Sequence, residues 1–356
     1  MNFLPLLDSI ATLRSFFVNP WINGLILGIM VLGVFISFRV LNVADLSVEG
    51  VLPMITMLTV VLIGQDWHPV LVLLLSMAIG ALCGILNAAL TIFLKTPPLL
   101  SGIIVMALTF GVAILINALK AGQVSFNQSD HLTIFNWLRR LLAGDSKDRV
   151  YLFYAANLSY ILVGLLVLAL LAGALYFFFG TELGLAIRAS GKNPAMARAN
   201  GIHVEKMSVI ALAISGALIG ASACLYGQQR VMGLPTDGQG MIVMALSSLF
   251  LGEIIFGVKT FKRSLVSCAV GSLLYWYLIQ ALMMLDNKGY MLSIYKALLL
   301  IALVAIQFGI ASFRKAHPSK PKKQKADVTE TRPSLDPVQD MKESIVLHCL
   351  GRKESC

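Results

Sequence analysis

Long apolar runs, broken by short polar stretches, dominate the chain from Trp21 to Phe313. Several approach the roughly 20 residues that carry a helix across a hydrocarbon layer. The pattern predicts an all-α, polytopic helical membrane protein of about nine transmembrane helices, eight to ten. The runs cover 22–38, 50–64, 69–94, 99–119, 159–179, 207–229, 240–257, 264–285 and 291–312. The second is short, is entered through Glu49-Gly50 and contains Pro53, which predicts a broken or partly inserted helix.

Two stretches have helical spacing without enough length to span. Residues 1–21 read as an N-terminal amphipathic segment, and Ile134, Phe135, Leu138, Leu141 and Leu142 place an interfacial helix inside the polar stretch 120–158. The transmembrane domain is then 22–313. Beyond Arg314 the residues become mainly Lys, Pro, Ser, Asp and Thr, too polar for a core, so 314–356 is expected to be a disordered cytoplasmic tail.

Composition agrees with lipid as the solvent. Of 356 residues, 58% are hydrophobic and 13% charged, with a mean hydropathy of +0.82, against roughly 45–50% apolar residues in a soluble domain. The net charge is +10, and the tail alone holds 10 of the 28 Lys and Arg. Basic residues cluster at 181–206, 258–263 and the tail, which predicts that these face the cytoplasm, with anionic lipid rather than nucleic acid as their partner. The stretches 120–158 and 230–239 then face outward. The five cysteines lack metal spacing and read as small core or tail residues, and no cleaved signal peptide is expected.

Polar residues inside so apolar a chain need a reason. Asn42, Asp45, Ser47, Glu49 and Gly50 crowd one break, and Gly238 and Gln239 belong to another, Gly233–Gly240. These breaks lie either in surface loops or at membrane depth, where irregular polar backbone persists only inside protein or beside a wet cavity. Ser101, Asn87, Thr91, Asn117, Gln228 and Gln229 could line a route for a polar solute or bond between helices. Glu253 reads first as an interfacial carboxylate near Lys259 and, as the alternative, as a contact that moves during transport. Gly80-Ala-Leu-Cys-Gly84 and Gly216-Ala-Leu-Ile-Gly220 are GxxxG patterns, read first as close packing within one chain.

Catalytic chemistry is missing. The sequence has no HExxH or GxSxG, and its histidines, at 68, 131, 203, 317 and 348, are scattered. Gly184 to Asn193 is spaced wrongly for a phosphate loop and lacks the Ser or Thr that would hold magnesium.

The stretch 181–202, TELGLAIRASGKNPAMARANGI, is the most specific feature. An Asn-Pro helix start, bounding glycines and spaced cations suit a short projecting knob. It resembles the cytoplasmic coupling loop of bacterial ABC-importer permeases of the branched-chain amino acid type. LNVADLSVEG at 41–50, LLSGIIVM at 99–106 and GQGMIVMALSSLFLGE at 238–253 follow in the order that family shows, and together look most like its tryptophan or tyrosine uptake branch.

The resemblance implies that Arg188, Gly191, Lys192, Asn193, Pro194, Arg198 and Gly201, in the coupling loop 181–206, contact an ATPase. It also implies a second permease copy, two ABC ATPase subunits that hold ATP and Mg, and an extracytoplasmic solute-binding protein, with Asn42, Asp45, Ser47, Glu49, Gly50, Gly238 and Gln239, together with Ser101, as the candidate translocation path. The chain itself would hold no cofactor and catalyse no reaction. Its setting would be the bacterial inner membrane, and its solute small and polar, an aromatic or branched-chain amino acid or a related compound. Val43-Ala44 departs from the aromatic-proline pair common in that branch, and the tail runs past its usual end. The competing reading is an ion-coupled secondary transporter, disfavoured by the scarcity of ionisable residues in the spans.

Overall fold

A computed structural model describes residues 4–120, 122, 124–127, 131–143, 149–257, 260–285 and 292–316. Lys259, Asp130, Asp145, Lys147, Asp148 and the tail beyond residue 316, with Cys349 and Cys356, lie outside the described residues. Residues 1–311 form one compact unit; the other, 312–356, is not described beyond Ala316.

The helices are α1 (Leu4–Phe35), α2 (Val48–Ile63), α3 (Pro69–Phe93), α4 (Pro98–Leu119), α5 (Ile134–Ala143), α6 (Arg149–Phe178), α7 (Glu182–Lys192), α8 (Pro194–Ala199), α9 (Val204–Arg230), α10 (Met241–Phe256), α11 (Phe261–Leu285) and α12 (Leu292–Ala316). Seven helical stretches are long and apolar enough to cross a membrane, and Val48–Ile63 and Ile294–Ile306 are shorter apolar helices. Together they account for every apolar run of the sequence. No strand occurs among the described residues; Ser125 and Met232 form an isolated bridge.

Two boundaries differ from the sequence pattern. The segment 1–21 is not set off by a break, because α1 runs unbroken from Leu4 through Pro20. Proline removes one backbone donor and is tolerated within membrane helices when neighbours compensate. The helix then widens into a π turn, Ile36–Val40, and ends at Asn42, whose left-handed φ of 58° suits asparagine.

Helix α1 is the axis. Its most apolar stretch is 83% buried, against 22% for that of Ala155–Phe178 in α6. Serines tie its exposed carbonyl oxygens to neighbours: Ser215 Oγ donates to Gly33 O (2.8 Å), Ser222 Oγ to Ile26 O (2.8 Å) and Ser272 Oγ to Gly24 O (2.7 Å). These bonds run α9 antiparallel to α1, so Arg39 and residue 204 share one end of the bundle, and Asn23 and Gln229 the other. On the periphery, Leu74, Leu82, Leu108, Leu115, Leu166 and Leu170 are exposed, as lipid-facing residues should be.

The two GxxxG patterns meet each other. A Cβ on Gly80 would strike Gly216 O, one on Gly220 would strike Ser76 O, and one on Gly84 would strike Leu212 O. Antiparallel α3 and α9 therefore touch backbone to backbone, close enough for Cα–H···O contacts. Gly80→Leu or Gly216→Leu should cost about 3 kcal/mol or more, since no rotamer can evade a backbone oxygen. The expected outcome is a lower unfolding temperature and reduced yield of monodisperse protein, while Gly111→Leu, which meets nothing within 4 Å, leaves both unchanged.

Candidate functional site

The stretch 181–202 folds as two short helices with a sharp corner. Thr181 Oγ accepts the Gly184 N–H (3.4 Å) to start α7, and Asn193 both ends α7 and starts α8, its Oδ1 accepting the Met196 N–H (3.1 Å) with Pro194 at the first position. Gly201 closes the unit with φ 79°. One side of this unit belongs to the bundle. A Cβ on Gly191 would strike Val40 O, so α7 seats directly on the backbone that follows α1. Arg188 donates to Phe179 O (3.1 Å) and lies over the Phe261 ring, 5.4 Å from its centroid.

The other side is bare. Lys192, Asn193, Pro194, Arg198 and Gly201 are exposed, Arg198 pairing with Glu205 at 3.1 Å. Met196, which the sequence reading passed over, is 63% exposed at the tip. A lone large apolar residue in a polar loop was the available signal. Of the seven proposed coupling residues, the structure thus turns Arg188 and Gly191 inward and leaves five at the surface.

Beside Gly191, the π turn carries Arg39. Its guanidinium forks onto both oxygens of Glu253 (2.7 and 2.6 Å), whose side chain is 5% exposed. Glu253 is buried and its partner is Arg39, 214 residues away, on a turn whose direction the sequence did not reveal, while Lys259 lies outside the described residues. A bidentate pair fixes geometry as well as charge. It binds the end of α1 to the end of α10.

The break at 42–50 divides into two settings. Asp45 Oδ1 accepts the Ser47 N–H (2.9 Å) and the Asn87 amide (2.9 Å); Asn87 Oδ1 accepts Ser101 Oγ (2.7 Å), which also meets Thr91 (2.7 Å). Asp45, Ser47, Asn87 and Ser101 are all buried. This network satisfies itself and holds α3, α4 and the 42–47 loop together, so these residues brace the bundle.

Glu49, Gly50, Gly238 and Gln239 gather elsewhere. After α9 the chain folds back along α2: Gly233 packs on Met57, and a Cβ on Gly238 would strike Glu49 O. A short 3-10 turn, Pro235–Gly238, precedes α10. Asp237 is buried, accepting the Leu234 N–H (2.9 Å) and Arg230 Nη1 (2.6 Å), while Arg230 also reaches Tyr226 Oη (2.8 Å). The stretch forms a re-entrant turn whose backbone packs on α2, with Met232, Thr236 and Gln239 exposed. The Glu49 carboxylate faces the N–H groups that open α10, at Gly240 and Ile242, and the Lys296 ammonium. Gly50 packs on Met106 and Thr109 of α4.

Next to this turn is a cavity of about 480 Å³. Its walls come from α1, α9, the 3-10 turn, α10, α11 and α12, and Gln239 lines it with Gln229, Arg230, Tyr275, Trp276 and Lys296. Of the residues proposed to border or line the path, Gln239 and Gln229 reach it directly. Sequence reasoning missed Arg230, Tyr275, Trp276 and Lys296, although a lysine four residues into an apolar helix and the Tyr275-Trp276-Tyr277 run were visible.

Multiple lipid-facing helices, a re-entrant turn beside a polar cavity and a two-helix knob at the opposite end define a multi-pass membrane transport permease. The chain belongs to the family described as branched-chain amino acid transport system / permease component, whose model matches residues 17–306. It is 26% identical over 288 residues to the tyrosine transport system permease protein of Clostridioides difficile (strain R20291), covering 81% of this chain and 90% of that one. It is 22% identical over 262 residues to the ribose import permease protein RbsC of Escherichia coli (strain K12), 74% and 76% of the two chains. A 32% identity over 143 residues links it to the probable branched-chain amino acid transport permease protein LivH of Methanocaldococcus jannaschii, 36% and 44% of the two. No solved structure gives a significant match.

Glu253→Gln keeps the shape of the buried pair and removes its charge. Because Arg39 is 42% exposed and reaches solvent, the stability loss should be near or below the low end of the about 3–5 kcal/mol for breaking a buried pair. Uptake should fall further than folded protein does, measured as transport per mole of membrane-inserted chain; equal losses would reduce the pair to a structural clamp.

Proposed function

We propose that this chain forms the solute path of an ATP-driven importer for a small polar solute of the amino acid class. The observation that carries the reading is the two-sided knob of α7 and α8: one face is seated on Val40 and Leu41 through Gly191, the other is exposed with Met196 and three basic or amide side chains. A helix pair held rigidly on its inner side and bare on its outer side is suited to receive a push from a docked partner. Separate ATPase chains would hold the ATP and Mg. The charge asymmetry supports placing the knob in the cytoplasm of a bacterial inner membrane, with the cavity end outward, where a solute-binding protein would deliver cargo. A second copy of the permease completes the path.

The route for the push is continuous. Displacing α7 moves Val40, and with it Arg39; the Arg39–Glu253 fork carries the movement to α10, whose first turn faces Glu49 and borders the cavity. Rigid helices rocking about such contacts can expose a cavity to alternate sides. The tyrosine permease relative supports the amino acid class.

Met196→Asp and Arg198→Glu change only exposed positions, so folding should survive. In proteoliposomes with the cognate ATPase and binding protein, each should lower solute-stimulated ATP hydrolysis by at least about tenfold, since like-charge contacts at an interface cost several kcal/mol. Accumulation by the permease alone, driven by an ion gradient without ATP, would replace the importer with a secondary transporter.

Orientation has its own test. A single cysteine at Ala195 should label only after the inner face is opened, and one at Thr236 should react from outside with a small impermeant reagent. The reverse pattern would invert the topology.

A further inference from the structure

The cavity between α1, α9, α10, α11 and α12 contains an imbalance that protein packing does not resolve. Gln229 Oε1, Tyr275 Oη and Trp276 Nε1 are buried without a hydrogen-bond partner, and all three residues line this one space. Tyr275 is fully buried in the chain, and the Gln229 amide nitrogen is already engaged with Asn23 Oδ1 (3.2 Å). Buried polar groups are nearly always satisfied, and a group left open beside a roomy polar cavity is satisfied by what enters it. One acceptor, one donor and one hydroxyl able to be either are on offer together.

The charges around them already face opposite charges. Arg230 is bound to Asp237 at 2.6 Å and to Tyr226 Oη, and Lys296 lies in the field of Glu49 without forming an ion pair with it. A solute carrying net charge would compete with Asp237 for Arg230 or with Glu49 for Lys296, which disfavours it. The remaining walls are flat or soft: the Tyr226, Tyr275 and Trp276 rings, with Met241, Met244 and Met283. Aromatic faces and thioethers suit an unsaturated ring. A volume of about 480 Å³ lies within the usual range for small-molecule sites.

We propose that this cavity is a transit site for a net-neutral small solute with a flat unsaturated ring and polar edges, the ring lying against Tyr275 and Trp276 and its edge atoms meeting Gln229 Oε1, Tyr275 Oη and Trp276 Nε1. The assignment rests on the importer reading and narrows its cargo by chemistry. An aromatic amino acid zwitterion and a nucleoside both fit that description, and the experiment separates them.

The purified full-length permease in lipid nanodiscs is titrated with L-tyrosine, guanosine, D-ribose and L-lysine, and binding is followed by calorimetry and tryptophan fluorescence. Saturation by L-tyrosine or guanosine is expected, with ribose, which lacks a flat ring, and lysine, which carries net charge, at least about tenfold weaker. Tyr275→Phe and Trp276→Phe, which delete one hydroxyl and one N–H and keep a ring, should each weaken the ring solute by about five- to tenfold. Gln229→Leu provides a third, independent loss, and retained thermal stability in any one variant keeps its result interpretable. Equal binding of ribose, absence of saturation by both ring solutes, or wild-type affinity in all stable variants would overturn the site. ATP-driven uptake that persists in that case leaves the importer standing and removes only the cavity's role.

Discussion

The contact on which the bundle depends is the glycine crossing of α3 and α9. In lipid an apolar side chain gains little by leaving the surrounding tails for a neighbouring helix, so association needs close backbone approach and hydrogen bonds. Gly80, Gly84, Gly216 and Gly220 supply the first, with backbone oxygens where Cβ atoms would otherwise be. Ser215, Ser222 and Ser272 supply the second, each reaching a carbonyl oxygen of α1. Helix α9 is therefore held on one flank by α3 and on the other by α1. Elements that lack such contacts are fixed only where a polar side chain happens to reach across.

That unevenness separates what can move from what cannot. The Asp45–Asn87–Ser101 network locks the start of α2 to α3 and α4, while the re-entrant turn hangs from Arg230 and Asp237 and touches α2 at two glycines. Between the knob and this turn the connections are few and specific: a glycine on Val40, a guanidinium fork on Glu253, and a carboxylate facing the amides that begin α10. Packed interfaces are bistable more readily than they are elastic, so a small displacement at one end can select between arrangements at the other. Sparse charged contacts suit that task better than a continuous apolar seam, because they hold geometry without adding area that must be separated.

Much of this was legible in the sequence. The apolar runs located every spanning helix within a few residues, since lipid leaves backbone little choice but helix. The amphipathic period of 134–142 found α5, with Phe135 buried against Tyr160, and Asn193-Pro194 marked the corner between α7 and α8. The reading of the GxxxG pairs as internal packing was met by the Gly80–Gly216 contact. What the sequence withheld was long-range pairing. Nothing local says that Arg39 will find Glu253, that Asp45 will be consumed by Asn87, or that 231–240 will fold back along α2, because each depends on which helices become neighbours. The candidate path residues therefore divided into braces, such as Ser101, and packing glycines, such as Gly50, with Gln239 and Gln229 at the cavity.

A cavity whose charges face opposite charges has a particular consequence for a transporter. Free counter-charges would hold a zwitterion or anion strongly, and a site that binds tightly releases slowly. Here Arg230 is paired with Asp237 and Lys296 faces Glu49, which leaves mainly hydrogen bonds and ring contacts for a guest, each modest after the exchange with water. Selectivity of that kind is shallow, but it leaves a low barrier to exit on either side. The same charges sit on separate elements, α9 and the turn for one set, α2 and α12 for the other. A shift of α10 that parts Glu49 from the amides at Gly240 and Ile242 would leave its carboxylate to Lys296 and change the polarity of the cavity wall. The contact that opens the space would then also weaken its hold on what lies inside.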